Sequence, residues 1–234
     1  MILAVGLIGD ARAKNHAGDI IKLSIWKLII PLDDNGDSVA DEVTMPTLRL
    51  FEDPDFFHLS ANSGSVVFRA KCDAPKSEGS NYPRSELREI KSGGTVETSW
   101  GTNDGKVHNL TISAAVNAVP EKTKTVACAR ISDSKGDLLT VRLEGKKLLL
   151  GSDELEPVIL DEDYELGAFF NLMIIADNGR IRALYERKQV MEWKVERDEL
   201  FCQVGCLTLP DPEKGDKRDA FGETEFKSVF LTHK

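Results

Sequence analysis

Apolar residues recur at every second position over short runs of this chain, and helical spacing is nearly absent. Between His108 and Val116, for example, Leu110, Ile112, Ala114 and Val116 alternate with Asn109, Thr111 and Ser113. A period of two is the mark of a half-buried β-strand. The pattern predicts strands over 21–30, 64–72, 84–91, 107–116, 124–132, 138–143, 146–150, 168–176, 180–186, 189–194, 201–209 and 224–232. Gly145 and Asn178-Gly179 read as hairpin turns. Residues 33–37 and 210–215 read as polar loops. Many short strands without helices imply an all-β fold of two packed sheets. The sequence holds no internal repeat, low-complexity tract or interdomain linker.

The most informative run is Asn81-Tyr82-Pro83-Arg84-Ser85-Glu86-Leu87-Arg88-Glu89-Ile90. As a strand it turns Arg84, Glu86 and Arg88 to one face and Ser85, Leu87 and Glu89 to the other. Two guanidiniums bracketing a carboxylate form a preorganised row for anions. A self-neutralised, solvated ladder is the plainer reading of the same spacing.

The wording of the run goes further. Tyr82 to Glu89, preceded by Cys72-Asp73-Ala74-Pro75, resembles the signature strand of polysaccharide lyase family 7, the alginate lyases. Leu23-Ser24-Ile25-Trp26-Lys27-Leu28-Ile29-Ile30-Pro31 resembles that family's opening strand, and Trp100 with His108-Asn109-Leu110 its next strand pair. Residues 225–233, Glu-Phe-Lys-Ser-Val-Phe-Leu-Thr-His, resemble its closing strand. The resemblance covers residues 18 to 233. It implies a β-jelly roll of two curved antiparallel sheets, one forming a concave groove for an extended glycan. Residues 1–17 are then an N-terminal extension and 18–234 a single domain.

Composition narrows the partners. Thirty Lys plus Arg against 39 Asp plus Glu give a net charge of −9. Such a chain has no global field to attract nucleic acid or an anionic membrane. An acidic polysaccharide would have to bind in a local basic cleft. Cys72, Cys128, Cys202 and Cys206 show no metal-ligand spacing with the four histidines and read as reduced, small apolar residues. Cys72–Cys128 is an open long-range pairing. Cys202 and Cys206, four apart in one strand, are too distant to bridge. No cofactor or metal site is expected. The acidic loop at 33–37 lacks the full calcium-loop pattern. Met1 to Gly9 is apolar, has no basic start and is too short to cross a bilayer. Ala11-Arg12-Ala13 mimics a cleavage site, so a leader is poorly formed. The location is left unassigned; an extracellular or particle-associated one is compatible with these features.

Cleaving a uronate by β-elimination needs a donor for the carboxylate, a base for the C5 proton and an acid for the leaving oxygen. The resemblance assigns these tasks to an Arg in the Arg-Ser-Glu-Leu-Arg strand, a Gln and a His in a Gln-Ile-His strand, and a Tyr in a late strand. Arg84 matches the first. In the run 126–133, Arg130 stands at the Gln position and Ser132 at the His position, with Cys128, Arg130 and Ser132 on one face by alternation. In the run 201–209, Gln203 stands at a Lys position and Leu207 at the Tyr position. Leucine carries no proton, and serine is a poor base without an activating partner. Losing an acid–base group costs ~10²–10⁴-fold. His108 is the best substitute base by residue type, though a structural role suits it better. Tyr82, Tyr164 and Tyr185 are the only tyrosines.

The resulting expectation is a catalytically degenerate lyase-like module. Lys27, Arg84, Glu86, Arg88, Arg130 and Gln203 would bind an acidic glycan. Against this stands a vestigial groove in which Arg130 merely pairs with Glu86 or Asp133. An active polyuronate lyase with a relocated acid–base pair is a second reading. A surface or virion assembly protein with protein partners, by analogy with other jelly rolls, is a third.

Overall fold

The computed structural model describes residues 16–92 and 94–234. Among them, the first eight strands are β1 (Trp26–Ile30), β2 (Asp41–Val43), β3 (Phe57–Leu59), β4 (Val66–Lys71), β5 (Arg84–Glu89), β6 (His108–Ala118), β7 (Thr125–Asp133) and β8 (Gly136–Glu144). The next seven are β9 (Lys147–Ser152), β10 (Leu155–Asp161), β11 (Phe170–Asp177), β12 (Arg180–Tyr185), β13 (Lys188–Lys194), β14 (Phe201–Thr208) and β15 (Phe221–His233). The other regular elements are single 3₁₀ turns. Most of the expected N-terminal extension, with the leader-like Met1–Gly9 and Ala11-Arg12-Ala13, lies outside the described residues.

The strands form two antiparallel sheets. One runs β10-β9-β8-β7-β14-β5-β1-β2 and bears the groove; the other runs β13-β12-β11-β6-β15-β4-β3. This is the all-β jelly roll expected from the sequence. The sheets meet where β14 and β5 pack on β15 and β4. Trp26, Leu28 and Ile30 of β1, Leu87 of β5 and Val204 of β14 all point into this interface. Phe68 lies edge-on to both Phe57 and Phe226, with ring centroids 5.1 and 5.4 Å apart. Such pairs add about 0.5–1.5 kcal/mol beyond the area they bury.

All twelve expected strands are present; the first is shortened most, because Leu23–Ile25 forms a 3₁₀ turn and the strand begins at Trp26. The hairpins fall as predicted. Gly145 joins β8 to β9 at φ +65, and Asn178 and Gly179 join β11 to β12 at φ 50 and +67. Both φ values of that pair are positive, as a two-residue type I′ turn requires. The pattern missed three strands, β2, β3 and β10, and each lies at the edge of a sheet. An edge strand can be short and half-exposed, so alternation is faint. Pro157 further masks β10, because proline is tolerated only where an N–H is not needed by a neighbour.

Candidate functional site

Alternation along β5 works as the sequence predicted. Ser85 and Leu87 face inward, where the Ser85 hydroxyl donates to Phe56 O at 2.8 Å. Arg84, Glu86 and Arg88 face the groove. Cross-strand register then sets Lys27 of β1, Arg88 of β5, Gln203 of β14 and Arg130 of β7 in one transverse row. Four separate segments are thereby delivered to one surface. The close approach depends on Gly205, at φ +146, where a Cβ would lie 2.4 Å from Ser85 O.

All six expected glycan-binding residues reach this groove or its floor, but the basic patch is largely neutralised. Glu86 is 1% exposed and forms the hub of the floor. Arg130 donates to it from Nε at 3.1 Å and Nη2 at 2.5 Å, and Gln203 Nε2 donates at 3.0 Å. Arg130 Nη1 donates to both Asp137 oxygens, at 2.8 and 3.0 Å. Burial alone would lower the Arg130 pKa, but Glu86 and Asp137 outweigh it and hold the guanidinium above its ordinary value. The partners are therefore Glu86 and Asp137; Asp133 instead caps its own turn by accepting the Lys135 and Gly136 N–H groups. Lys27 is bound by Glu42 at 2.8 Å and Glu97 at 3.5 Å.

Alternation fails at one predicted position. A bulge between Ala127 and Ala129 turns Cys128 away from Arg130 and Ser132 and into the core. An extra residue in a strand shifts the phase of everything beyond it. Cys72, Cys128, Cys202 and Cys206 are all free thiols.

Ser132 stays on the groove face, where its hydroxyl lies 2.7 Å from Asp137 Oδ1 and 3.0 Å from Gln203 Oε1. It has one proton to give and two acceptors competing for it. Leu207 is 4% exposed and is the cross-strand partner of Arg84.

Arg84 and Arg88 are the less satisfied cations. Arg84 donates to Ser80 Oγ at 2.5 Å and lies only 3.4 Å from Glu86, whose oxygens are already held by Arg130. Arg88 donates to Glu97 at 3.2 Å and lies 4.1 Å above the Phe201 ring. The Nε–H of each guanidinium is buried without a partner among the described residues. Burial lowers the Arg84 pKa, and the attraction of Glu86 does not make up for it. Arg84 and Arg88 both line the groove, where an incoming carboxylate would meet them with charge-assisted bonds.

The groove has a volume of about 870 Å³, within the ~300–1,000 Å³ range of ligand clefts. The loop from Ser77 to Tyr82 and the β7–β8 turn contribute to its lining. No histidine lines it among the described residues, and Tyr82 is its one tyrosine. Sequence reasoning missed Glu42, Glu97, Ser80 and Asp137. Asp137 was legible in principle, since the tight turn at 134–135 returns it beside Ser132. Glu42 and Glu97 arrive from an edge strand and a loop, where alternation carries no signal.

His108 and two of the tyrosines lie elsewhere. His108 is buried at the end of β6, stacked on Trp100 with centroids 4.4 Å apart. Its Nε2 lies 3.0 Å from Asp104 and its Nδ1 2.6 Å from His233 Nδ1. His233 Nε2 in turn meets Glu89 at 2.8 Å, on the inward face of β5. Tyr164 is a core residue whose hydroxyl accepts the Val116 N–H at 2.9 Å and donates to Ala168 O. Burial pushes its phenol up to about 12. Tyr185 packs against the core beside Phe170.

Known proteins share this fold. A family model described as alginate lyase matches residues 21–233. An alginate lyase of Klebsiella pneumoniae is 38% identical over 100 residues, which is 42% of this chain and 32% of that protein. The chain thus spans about a third of that relative's length. Among solved structures, the alginate lyase AlgAT5 of polysaccharide lyase family 7 is similar with a TM-score of 0.88 and 35% identity, covering 94% of this chain and 99% of that one. An alginate lyase from Corynebacterium sp. has a TM-score of 0.88 and 25% identity, covering 95% and 100%.

Proposed function

Because this chain belongs to the alginate lyase family, polysaccharide lyase family 7, we propose that its groove holds an acidic glycan without the proton-transfer pair needed to cleave it. The observation that carries this reading is the contrast within the groove. Two guanidiniums line the groove with one carboxylate partner each, where Arg130 has two, while the positions that the family resemblance assigns to His and Tyr hold Ser132 and Leu207. Arg84 and Arg88 can neutralise a uronate carboxylate, which is the binding half of β-elimination. The other half needs groups that accept and release protons. Ser132 is occupied by Asp137 and Gln203, and Glu86 is saturated by cations and an amide. His108 is engaged with Asp104 and His233.

Incubation with alginate and with glucuronan, followed by ultraviolet detection of unsaturated ends, tests the absence of cleavage; no accumulating product is expected. Calorimetric titration tests binding. Arg84→Ala is expected to weaken an acidic oligosaccharide about tenfold, corresponding to the ~1.5 kcal/mol of a charged hydrogen bond.

One observation favours a second reading, an active lyase with a relocated acid. Tyr82 lines the groove, and its N–H is tied to the same Ser80 hydroxyl that receives Arg84. Steady product formation that disappears in both Arg84→Ala and Tyr82→Phe would establish that reading and overturn the first. The assembly role rests on fold analogy alone; neither the fold nor the relatives favour it.

A further inference from the structure

The groove is more acidic than a site for a polymer of uronates should be. Among the described residues lining it, six are carboxylates and four are cations. Two of those cations, Lys27 and Arg130, are each engaged by two carboxylates. Arg84 and Arg88 have one carboxylate partner each, Glu86 at 3.4 Å and Glu97 at 3.2 Å. Toward β7 and β8, Asp133 and the exposed Asp153 face the same cavity with no ion pair among the described residues. A chain with a carboxylate on every sugar would satisfy the two arginines and set its further charges against these acids. Like charges in one cleft repel, and a partly enclosed cleft is poorly screened by salt.

Beside Arg84 the lining turns apolar. Leu207 is its partner in β14, and Leu209 and the 37%-exposed Tyr82 line the same cavity. The Thr208 N–H donates to Pro83 O at 3.1 Å, which fastens these two segments together. Two leucines and a tyrosine ring next to a carboxylate receptor suit a small apolar substituent next to a uronate. Ser80 and Asn81, on the same loop, supply polar groups.

We propose that the ligand is a glycan in which a uronate alternates with an N-acetylated hexosamine, rather than a polymer of uronates alone. This rests on the reading of the groove as an acidic-glycan site. The uronate carboxylate docks on Arg84 and Arg88. The acetyl methyl lies on Leu207, Leu209 and Tyr82. The neutral sugar spaces the charges so that the next carboxylate need not face Asp133 or Asp153.

The test is calorimetric titration of the full chain with three oligosaccharide sets of equal length. These are hyaluronan fragments (glucuronate alternating with N-acetylglucosamine), oligomannuronates (a carboxylate on every sugar) and chitin fragments (acetyl groups and no carboxylate). Hyaluronan fragments are expected to bind at least tenfold tighter than either other set. Asp153→Asn is expected to strengthen oligomannuronate several-fold and narrow that preference; an unchanged ratio would overturn the charge argument. Oligomannuronate binding as tight as hyaluronan would overturn the alternating ligand and leave the acidic-glycan reading standing. Chitin fragments binding equally well, or no binding by any set, would overturn both.

Discussion

Strand β5 carries two buried carboxylates three residues apart, and they lead different lives. Glu86 faces the groove and is held by Arg130, Gln203 and, more loosely, Arg84. Glu89 faces the interior and is held by His233 Nε2, the Trp100 indole N–H at 3.1 Å and the Cys202 N–H at 2.9 Å. Both are almost fully buried, at 1% and 2% exposure. Glu86 balances a permanent cation, so its surroundings are ionic at any ordinary pH. Glu89 ends a chain of titratable groups that runs through His233 and His108 to Asp104. A floor of the first kind is a fixed electrostatic surface. A cluster of the second kind ties together the ends of β6 and β15 and the adjoining β5, and it does so away from the groove.

The largest expected effect comes from breaking the ionic floor. Arg130→Met should cost about 3–5 kcal/mol, because it leaves Glu86 and Asp137 uncompensated in a buried setting. Urea unfolding measures it. Adding Glu86→Leu should recover part of the loss, since a buried ion pair is often no better than apolar packing. A cost under ~1 kcal/mol for Arg130→Met would show that water enters and relaxes the floor, and the contrast with Glu89 would fall.

Glu89→Gln should cost less, about 1–3 kcal/mol, the range for a buried hydrogen-bonding group left mismatched. The amide oxygen can still accept from Trp100 or Cys202, while its NH₂ now faces His233. An unfolding cost equal to that of Arg130→Met would erase the distinction between the two carboxylates.

The smallest effect is the pH dependence at Asp104, the exposed end of the second cluster. Burial pushes its pKa up, but hydrogen bonds from His108 and from the Lys106 and Gly101 N–H groups outweigh this and hold it below the usual carboxylate range. Its folded pKa is therefore lower than its unfolded value of ~3.9. The stability it contributes is present above that value and is lost as pH falls through the folded one. Asp104→Asn should flatten the acid limb of the melting temperature as pH falls below the ordinary carboxylate range and leave the value at pH 7 slightly lowered. An acid limb identical to that of the unchanged protein would assign the sensitivity to other carboxylates.

The strands of both sheet interiors were legible because burial on one face imposes a period of two, and each hairpin carried its own turn residues. The groove face of β5 was legible for the same reason, as were Gln203 and Leu207 on β14. Cys128 was misplaced because a bulge adds one residue of phase that no local pattern announces. The family itself was legible in Arg84-Ser85-Glu86-Leu87-Arg88 and its companion runs. The net charge of the groove was not, because Glu42, Glu97 and Asp137 come from other segments.

By itself, then, the sequence determined the fold, the face of the core-strand residues wherever no bulge intervenes and the residue types available for chemistry. These follow from local rules: alternation, turn preference and the valence of each side chain. Only the tertiary structure decided which charges meet. Pairing between strands distant in sequence put Arg130 between Glu86 and Asp137, put Lys27 between Glu42 and Glu97, and left Arg84 and Arg88 with one carboxylate each. Coulomb energies depend on separation and burial, and those are properties of the folded arrangement.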